Sequence, residues 1–317
     1  MKAELATHLK HNARICFLLA AFAGAISFLG LRSSGAQTRN EIDRVATTSE
    51  VEVTGEVLPG ALAQDAPVGP YGQPEWTTGR IFGASRIYVL PPGRVELIHL
   101  WTPKLSDRNI AHTFREEVEI GLPYRFQLDF YQNWGVDEDA KSFYKGSSVE
   151  LRYALANWGR MPLNPTLYAE WYFNDRAADA YELKLLLGET LAHRWNWACN
   201  FTFEQETGGE RETEIAASTA LTYPLIDQKL NVGVEAFVEH VTAKDSRHDA
   251  EIEFLIGPTV NVHPTRHSFI TVSPLFGTTK DSPTAEIFVA AGFQFEFGGS
   301  GGPSQEGPRA PASMFGR

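Results

Sequence analysis

Acidic residues recur two apart along this chain, at Glu117 and Glu119, Glu212 and Glu214, and Glu251 and Glu253. On an extended strand, residues two apart share a face, so such pairs set carboxylates in rows. Rows of carboxylates around a passage are a route to cation selectivity. Opposite the large apolar residues stand Glu96, Glu117, Glu119, Asp129, Glu150, Glu170, Glu182, Glu204, Glu212, Glu214, Glu235, Glu239, Glu251, Glu253, Glu286 and Glu296. Only Arg115, Arg125, Arg152 and Lys184 answer them on that face. A lumen lined by Arg115, Glu117, Glu119, Arg125, Asp129, Glu150, Arg152, Glu170, Glu182, Lys184, Glu214, Glu235 and Glu253 is expected to be acidic. Glu212, Glu214, Glu235, Glu239, Glu251 and Glu253 have no base on their own face, which makes the later strands the acidic wall. A charged, narrow passage focuses potential and concentrates counter-ions.

Other chemistry leaves weaker marks. The Gly-x-Ser-x-Gly match at Gly298–Gly302 falls in the Gly-rich tail and not on a strand-to-helix elbow, and there is no phosphate-cradling glycine loop and no Cys-x-x-Cys. His263 and His267 are four apart but flank Pro264, and a helix is needed to place such a pair on one face. The other histidines, among them His99, His112, His240 and His248, lie near strand ends. No catalytic residue, metal or cofactor is expected. A barrel-borne hydrolase with Ser, His and acid groups at its rim is the alternative, since those residue types are present. A soluble secreted β-rich binding protein is a further one.

The elements that must position these residues are strands. In Gly121–Trp134, Tyr124, Phe126, Leu128 and Phe130 alternate with Arg125, Gln127, Asp129 and Tyr131. The preceding segment sets Phe114, Val118 and Ile120 against Arg115, Glu117 and Glu119. Large apolar residues on one face and charges on the other suit a wall between lipid and water. Twelve such segments follow, near 93–102, 111–121, 124–134, 146–157, 164–174, 179–188, 194–206, 211–223, 229–241, 248–261, 267–277 and 284–297. Most reach ten residues, the length of a tilted membrane strand rather than an ordinary globular one. The fold class expected is all-β: a single antiparallel up-and-down transmembrane β-barrel of about twelve strands, preceded by a signal peptide and a flexible leader.

Connections alternate in character. Lys104–Arg108, Gly135–Lys145, Gly208–Glu210, Lys244–His248 and Lys280–Ser282 are charged, whereas Gly121–Pro123, Gly159–Pro162, Pro224–Gln228 and His263–His267 are Gly- or Pro-bearing turns. Short turns face the periplasm in such barrels, so both termini are expected there. Trp101 and Trp134 at the outer ends, with Tyr124, Trp158, Trp195, Trp197 and Phe297 at the inner ends, would form the interfacial aromatic belts. Apolar matching around Gly121-Leu122-Pro123 pairs Ile120 with Tyr124, Val118 with Phe126 and Phe114 with Phe130. That register also sets Glu119 opposite Arg125 and Arg115 opposite Asp129.

Residues 1–36 have the form of a signal peptide: Lys2, Lys10 and Arg14, an apolar run from Ile15 to Leu31, and Ser34-Gly35-Ala36 before Gln37. Residues 37–78 are expected to be a flexible periplasmic leader, 79–297 the barrel, and 298–317 a flexible Gly/Pro/Ser-rich tail. Cys16 falls in the signal, so Cys199 has no disulfide partner. A net charge of −11 argues against nucleic acid as a partner. The partners expected are outer-membrane lipid, the barrel assembly machinery and an unnamed small solute.

Three short motifs carry a resemblance: Leu90–Leu97 (LPPGRVEL), Gly121–Leu128 (GLPYRFQL) and Gly292–Phe297 (GFQFEF). They resemble the bacterial outer-membrane β-barrel family of meta-pathway phenol-degradation (transporter-like) proteins, over about residues 80–297. The resemblance implies a barrel in the outer membrane and uptake of small molecules. It implies no particular substrate and no functional residue.

Overall fold

In the computed structural model, which describes residues 62–106, 109–136, 141–192 and 194–297, twelve strands close on themselves. Two short strands come first, β1 (Pro67–Val68) and β2 (Gln73–Pro74), which pair only with each other. The barrel then runs β3 (Arg94–Leu105), β4 (Ile110–Leu122), β5 (Phe126–Val136), β6 (Ser142–Ala154), β7 (Thr166–Asn174), β8 (Ala180–Leu191), β9 (Trp195–Glu206), β10 (Thr213–Ile226), β11 (Leu230–Thr242), β12 (Glu251–Thr265), β13 (Ser268–Gly277) and β14 (Ala285–Glu296). Every pairing is antiparallel, and β14 closes on β3 with Val289 opposite Trp101. Closure leaves no unpaired sheet edge. The twelve expected segments are thus the twelve strands. Among the described residues no helix is long and apolar enough to cross a membrane, which says nothing of strands.

Period-two alternation gives the wall its two faces. Leu97, Phe130, Leu151, Leu167, Leu183, Phe201, Ile215, Val234, Ile270 and Phe293 are exposed on the outside. Glu117, Asp129, Glu150, Asn200, Glu235, Asn261 and Thr271 are buried on the inside. The inside is buried because something fills it.

The filler is the segment before β3. Leu62–Thr78, expected to belong to a flexible leader, and 79–92, expected to belong to the barrel, form instead a folded plug within the lumen. Tyr71, Trp76, Ile81, Phe82, Ile87, Tyr88 and Val89 form an apolar core with the wall residues Ala154, Ala198 and Ala220. Alanines at these inward positions leave room for the plug's large side chains. The barrel therefore starts at Arg94. The expected signal peptide, residues 37–61, the expected tail and residues 137–140 of the charged loop lie outside the described residues.

The β4–β5 register differs from the expected one by four residues. Phe114 faces Trp134, Val118 faces Phe130 and Ile120 faces Leu128. The faces survive because a shift of four preserves parity. The expected pairs do not survive: Glu119 stands opposite Asp129, and Arg115 opposite Asn133. The turn explains this. Pro123–Arg125 forms a 3-10 turn with left-handed φ at Tyr124 (62°) and Arg125 (68°), so Tyr124 and Arg125 are spent on the corner rather than on the strand. Gly121 pairs with Gln127 in the ladder, and only glycine fits there because a Cβ would lie 2.0 Å from the Pro91 carbonyl oxygen of the plug's exit.

Candidate functional site: the plugged lumen

The strands bring the acidic residues into one continuous row. Glu96 is opposite Glu119, Glu119 opposite Asp129, Asp129 opposite Glu150 and Glu150 opposite Glu170. The row continues from Glu170 to Glu182, from Glu182 to Glu204 and from Glu204 to Glu214. Glu96 lies near the start of β3, at the end carrying the short turns. Glu214 lies near the start of β10, at the end carrying the longer loops. The row therefore climbs the lumen as it winds across eight strands. Like charges directly opposite each other destabilise a sheet by about 0.2–1 kcal/mol per pair. Something must offset that repulsion.

In the turn half, guanidinium groups offset it and also meet Glu117, which stands beside the row opposite Tyr131; two of these groups come from the plug, and one of the two, Arg86, lies 3.9 Å from Glu119. Arg80 Nη1 donates to Glu117 at 2.9 Å, and Arg86 Nη2 donates to both oxygens of the same carboxylate at 2.9 and 3.1 Å. Arg152 lies 3.0 Å from Asp129 and 3.6 Å from Glu119, and also bonds Glu150. Gln127 donates to Glu119 and Asp129. Arg115 bonds Asn133 at 2.8 Å and lies 4.8 Å over the Tyr131 ring. Burial, and next the neighbouring Arg86, pull the Arg80 pKa down to about 10, so Arg80 still carries its charge at neutral pH. The carboxylates of Glu117, Glu119 and Asp129 converge within 4.8 Å. Guanidinium groups already meet that charge.

Other side chains of the wall bind the plug's backbone. Glu235 accepts from the Gly83 and Ala84 N–H groups at 2.7 and 3.0 Å and from Ser273 at 2.7 Å. Asn200 accepts from the Arg86 N–H and donates to its carbonyl, at 2.7 and 2.8 Å. Thr271 and Asn261 donate to the Arg80 carbonyl. The Leu90 N–H donates to Gln127, and Gln294 donates to the Thr78 carbonyl. A buried backbone must find such partners. Here the barrel supplies them without sheet pairing. Between residues 77–90 and the wall at Glu96, Glu119, Gln127 and Arg152 only about 30 Å³ stays empty, room for little more than a water.

The loop half is different. Lys184 lies 2.8 Å from Glu182 and Lys104 lies 3.0 Å from Glu253. Glu239 stands opposite Glu253, and Glu286 opposite Lys104. Glu204, Glu214 and Glu239 have no cation at ion-pair distance among the described residues.

The strands set Arg115, Glu117, Glu119, Asp129, Glu150, Arg152, Glu170, Glu182, Lys184, Glu214, Glu235 and Glu253 on their inward face. Arg125 is not among them. It sits on the β4–β5 turn and donates to the Ala154 carbonyl. Glu212, Glu251 and Glu296 are exposed at the rims. Glu235 and Glu253 are not free carboxylates, since one holds the plug and the other Lys104, a β3 residue that the charged run Lys104–Arg108 predicts to be loop. Of the expected aromatic belt, Trp101, Tyr124, Trp134, Trp195 and Phe297 are exposed. Trp158 instead joins the plug core, edge-on to Trp76 and Tyr88. Trp197 is buried, its indole N–H on Thr219. Arg80 and Arg86 are absent from the expected set. The signal for them was the density of large apolar residues from Tyr71 to Leu90, a composition that a mobile leader does not have.

Ser85 bonds Ser218, Ser273 bonds Thr259 and Glu235, and Ser148 donates to Glu170. His99 pairs with Glu116 outside the lumen, and His112 accepts from Trp101.

The fold has solved counterparts. An outer-membrane channel from Pseudomonas putida F1 superimposes with a TM-score of 0.50 at 10% identity, covering 66% of this chain and 97% of that one. The NanC porin gives 0.47 at 11% identity, covering 64% and 100%, and a KdgM porin complex with disordered oligogalacturonate gives 0.43 at 10%, covering 65% and 99%. No protein-family model matches the chain, and no curated protein matches it. At these identities the likeness is one of fold.

Proposed function

We propose that this chain is an outer-membrane β-barrel for passive passage or uptake of small solutes, with a lumen that favours cations and a plug that must shift for passage. The supporting observation is the carboxylate row from Glu96 to Glu214 beside a plug that pairs with no barrel strand. A fold gains nothing from eight acids set side by side, whereas a cation route does. A plug held through side chains can leave without breaking the barrel's ladder. The apolar outer face and the fold shared with an outer-membrane channel support the location. In this reading outer-membrane lipid and the assembly machinery are the partners. The turn end and both termini face the periplasm. Membership of the meta-pathway family remains part of the proposal, on the three short motifs.

The test is a planar bilayer under a KCl gradient. A reversal potential of cationic sign is expected once the plug is loosened. An anionic sign sinks the cation reading. Failure of every plug variant to conduct sinks the channel and favours the hydrolase. An epitope within Gly135–Lys145 should be reached by antibody on intact cells; labelling only after permeabilisation inverts the orientation.

A further inference from the structure

A second cavity lies at the turn end, between plug and wall. Its volume is about 650 Å³, within the range of about 300–1,000 Å³ of small-molecule sites. The plug supplies Gln64, Glu75, Trp76 and Ile81 to its lining. The β10–β11 turn supplies Asp227 and Lys229, the β12–β13 turn supplies Arg266, β12 supplies His263 and β11 supplies Asn231.

The charges in this lining are not equivalent. Both acids are already engaged. Asp227 accepts from the Ala63 and Gln64 N–H groups at 2.6 and 3.1 Å. Glu75 accepts from Arg94 at 3.2 Å. Lys229 and Arg266 are exposed at the mouth and make no ion pair among the described residues. The uncommitted charge is therefore positive. Deeper in the lining, Gln64 Nε2 and Asn231 Oδ1 are buried without hydrogen-bond partners. An unmet amide donor and an unmet amide acceptor are costly to keep buried, and a small rotation toward the cavity would let a ligand satisfy them. Trp76 and Ile81 add an apolar wall.

We infer that this cavity binds a small hydroxylated carboxylate of the sugar-acid class. The carboxylate lies against Lys229 and Arg266 at the mouth. Its hydroxyls reach the Gln64 and Asn231 amides, and its C–H face lies on Trp76. Because the lining is shared by plug and wall, such a ligand binds the plugged state and stabilises it by mass action. The site is distinct from the carboxylate row, and its occupancy needs no conduction.

Calorimetric titration of the detergent-solubilised mature chain tests this. D-gluconate is the probe, with D-glucose and D-glucosamine as neutral and cationic counterparts. Saturable binding of gluconate, at least tenfold tighter than either counterpart, is expected. Lys229→Gln with Arg266→Gln should weaken it at least tenfold. Both side chains are exposed on turns, so the barrel keeps its circular dichroism. Gln64→Ala should weaken gluconate without changing the preference over glucose. Absence of saturable gluconate binding, equal binding of glucose, or an unchanged affinity in the double variant overturns the proposal. The readout is independent of conductance, so its failure leaves the channel reading standing.

Discussion

The two halves of the lumen carry acids along and beside one carboxylate row and treat them in opposite ways. In the turn half, Glu117, Glu119, Asp129 and Glu150 are dry and clamped by Arg80, Arg86 and Arg152. In the loop half, Glu204, Glu214 and Glu239 are half-buried and no cation pairs with them among the described residues. The difference shows what a row of like charges requires. Where water is excluded, each carboxylate must be matched at close range, because an unmatched buried charge costs several kcal/mol. Where the acids are only half-buried, water can solvate them and their field is available to mobile cations.

The strongest way to break this comparison is to remove the plug's cations. Arg80→Ala with Arg86→Ala leaves Glu117 buried and unpaired, and should disfavour the plugged state by about 3–5 kcal/mol. Conductance steps should appear or grow in a planar bilayer. An unchanged trace would mean that the plug's apolar core alone holds it.

Packing gives the next effect. Gly121→Ala puts a Cβ 2.0 Å from the Pro91 carbonyl oxygen and should cost about 1–3 kcal/mol through displaced backbone, read as a lower Tm in detergent. Glu214→Gln in the loop half should leave Tm nearly unchanged. Equal effects would erase the distinction between a packed half and a solvated one.

Selectivity should respond less steeply. Glu204→Gln, Glu214→Gln and Glu239→Gln together, in the plug-loosened background, should move the reversal potential toward zero. The parent's preference should itself fade as salt rises, since fields are screened over about 10 Å at 0.1 M. A preference insensitive to these changes would locate selectivity in the turn half instead.

The smallest effect is expected at Lys104→Gln. It frees Glu253 from a partner 3.0 Å away and should raise cation preference slightly. A fall would mean that the lysine orients Glu253 for transport rather than masking it.

The amino-acid sequence by itself determined the barrel. Period-two alternation is local, so Phe130 outward and Asp129 inward follow from adjacent residues whatever their partners. Strand number, strand order and the inward direction of nearly every acid were legible for that reason. Register was not. Apolar matching constrains parity but not a shift of four, and the corner at Pro123–Arg125 took up residues that alternation had assigned to the strand. Nor was the plug. Tyr71 to Leu90 carries no period, because its side chains answer the wall's shape rather than a lattice of their own. The pairing of Arg86 with Glu117 joins residues 31 apart, and that of Gly83 with Glu235 joins residues 152 apart. Contacts of that span exist only once the barrel has closed, so only the tertiary structure could decide which carboxylates are clamped and which stay open.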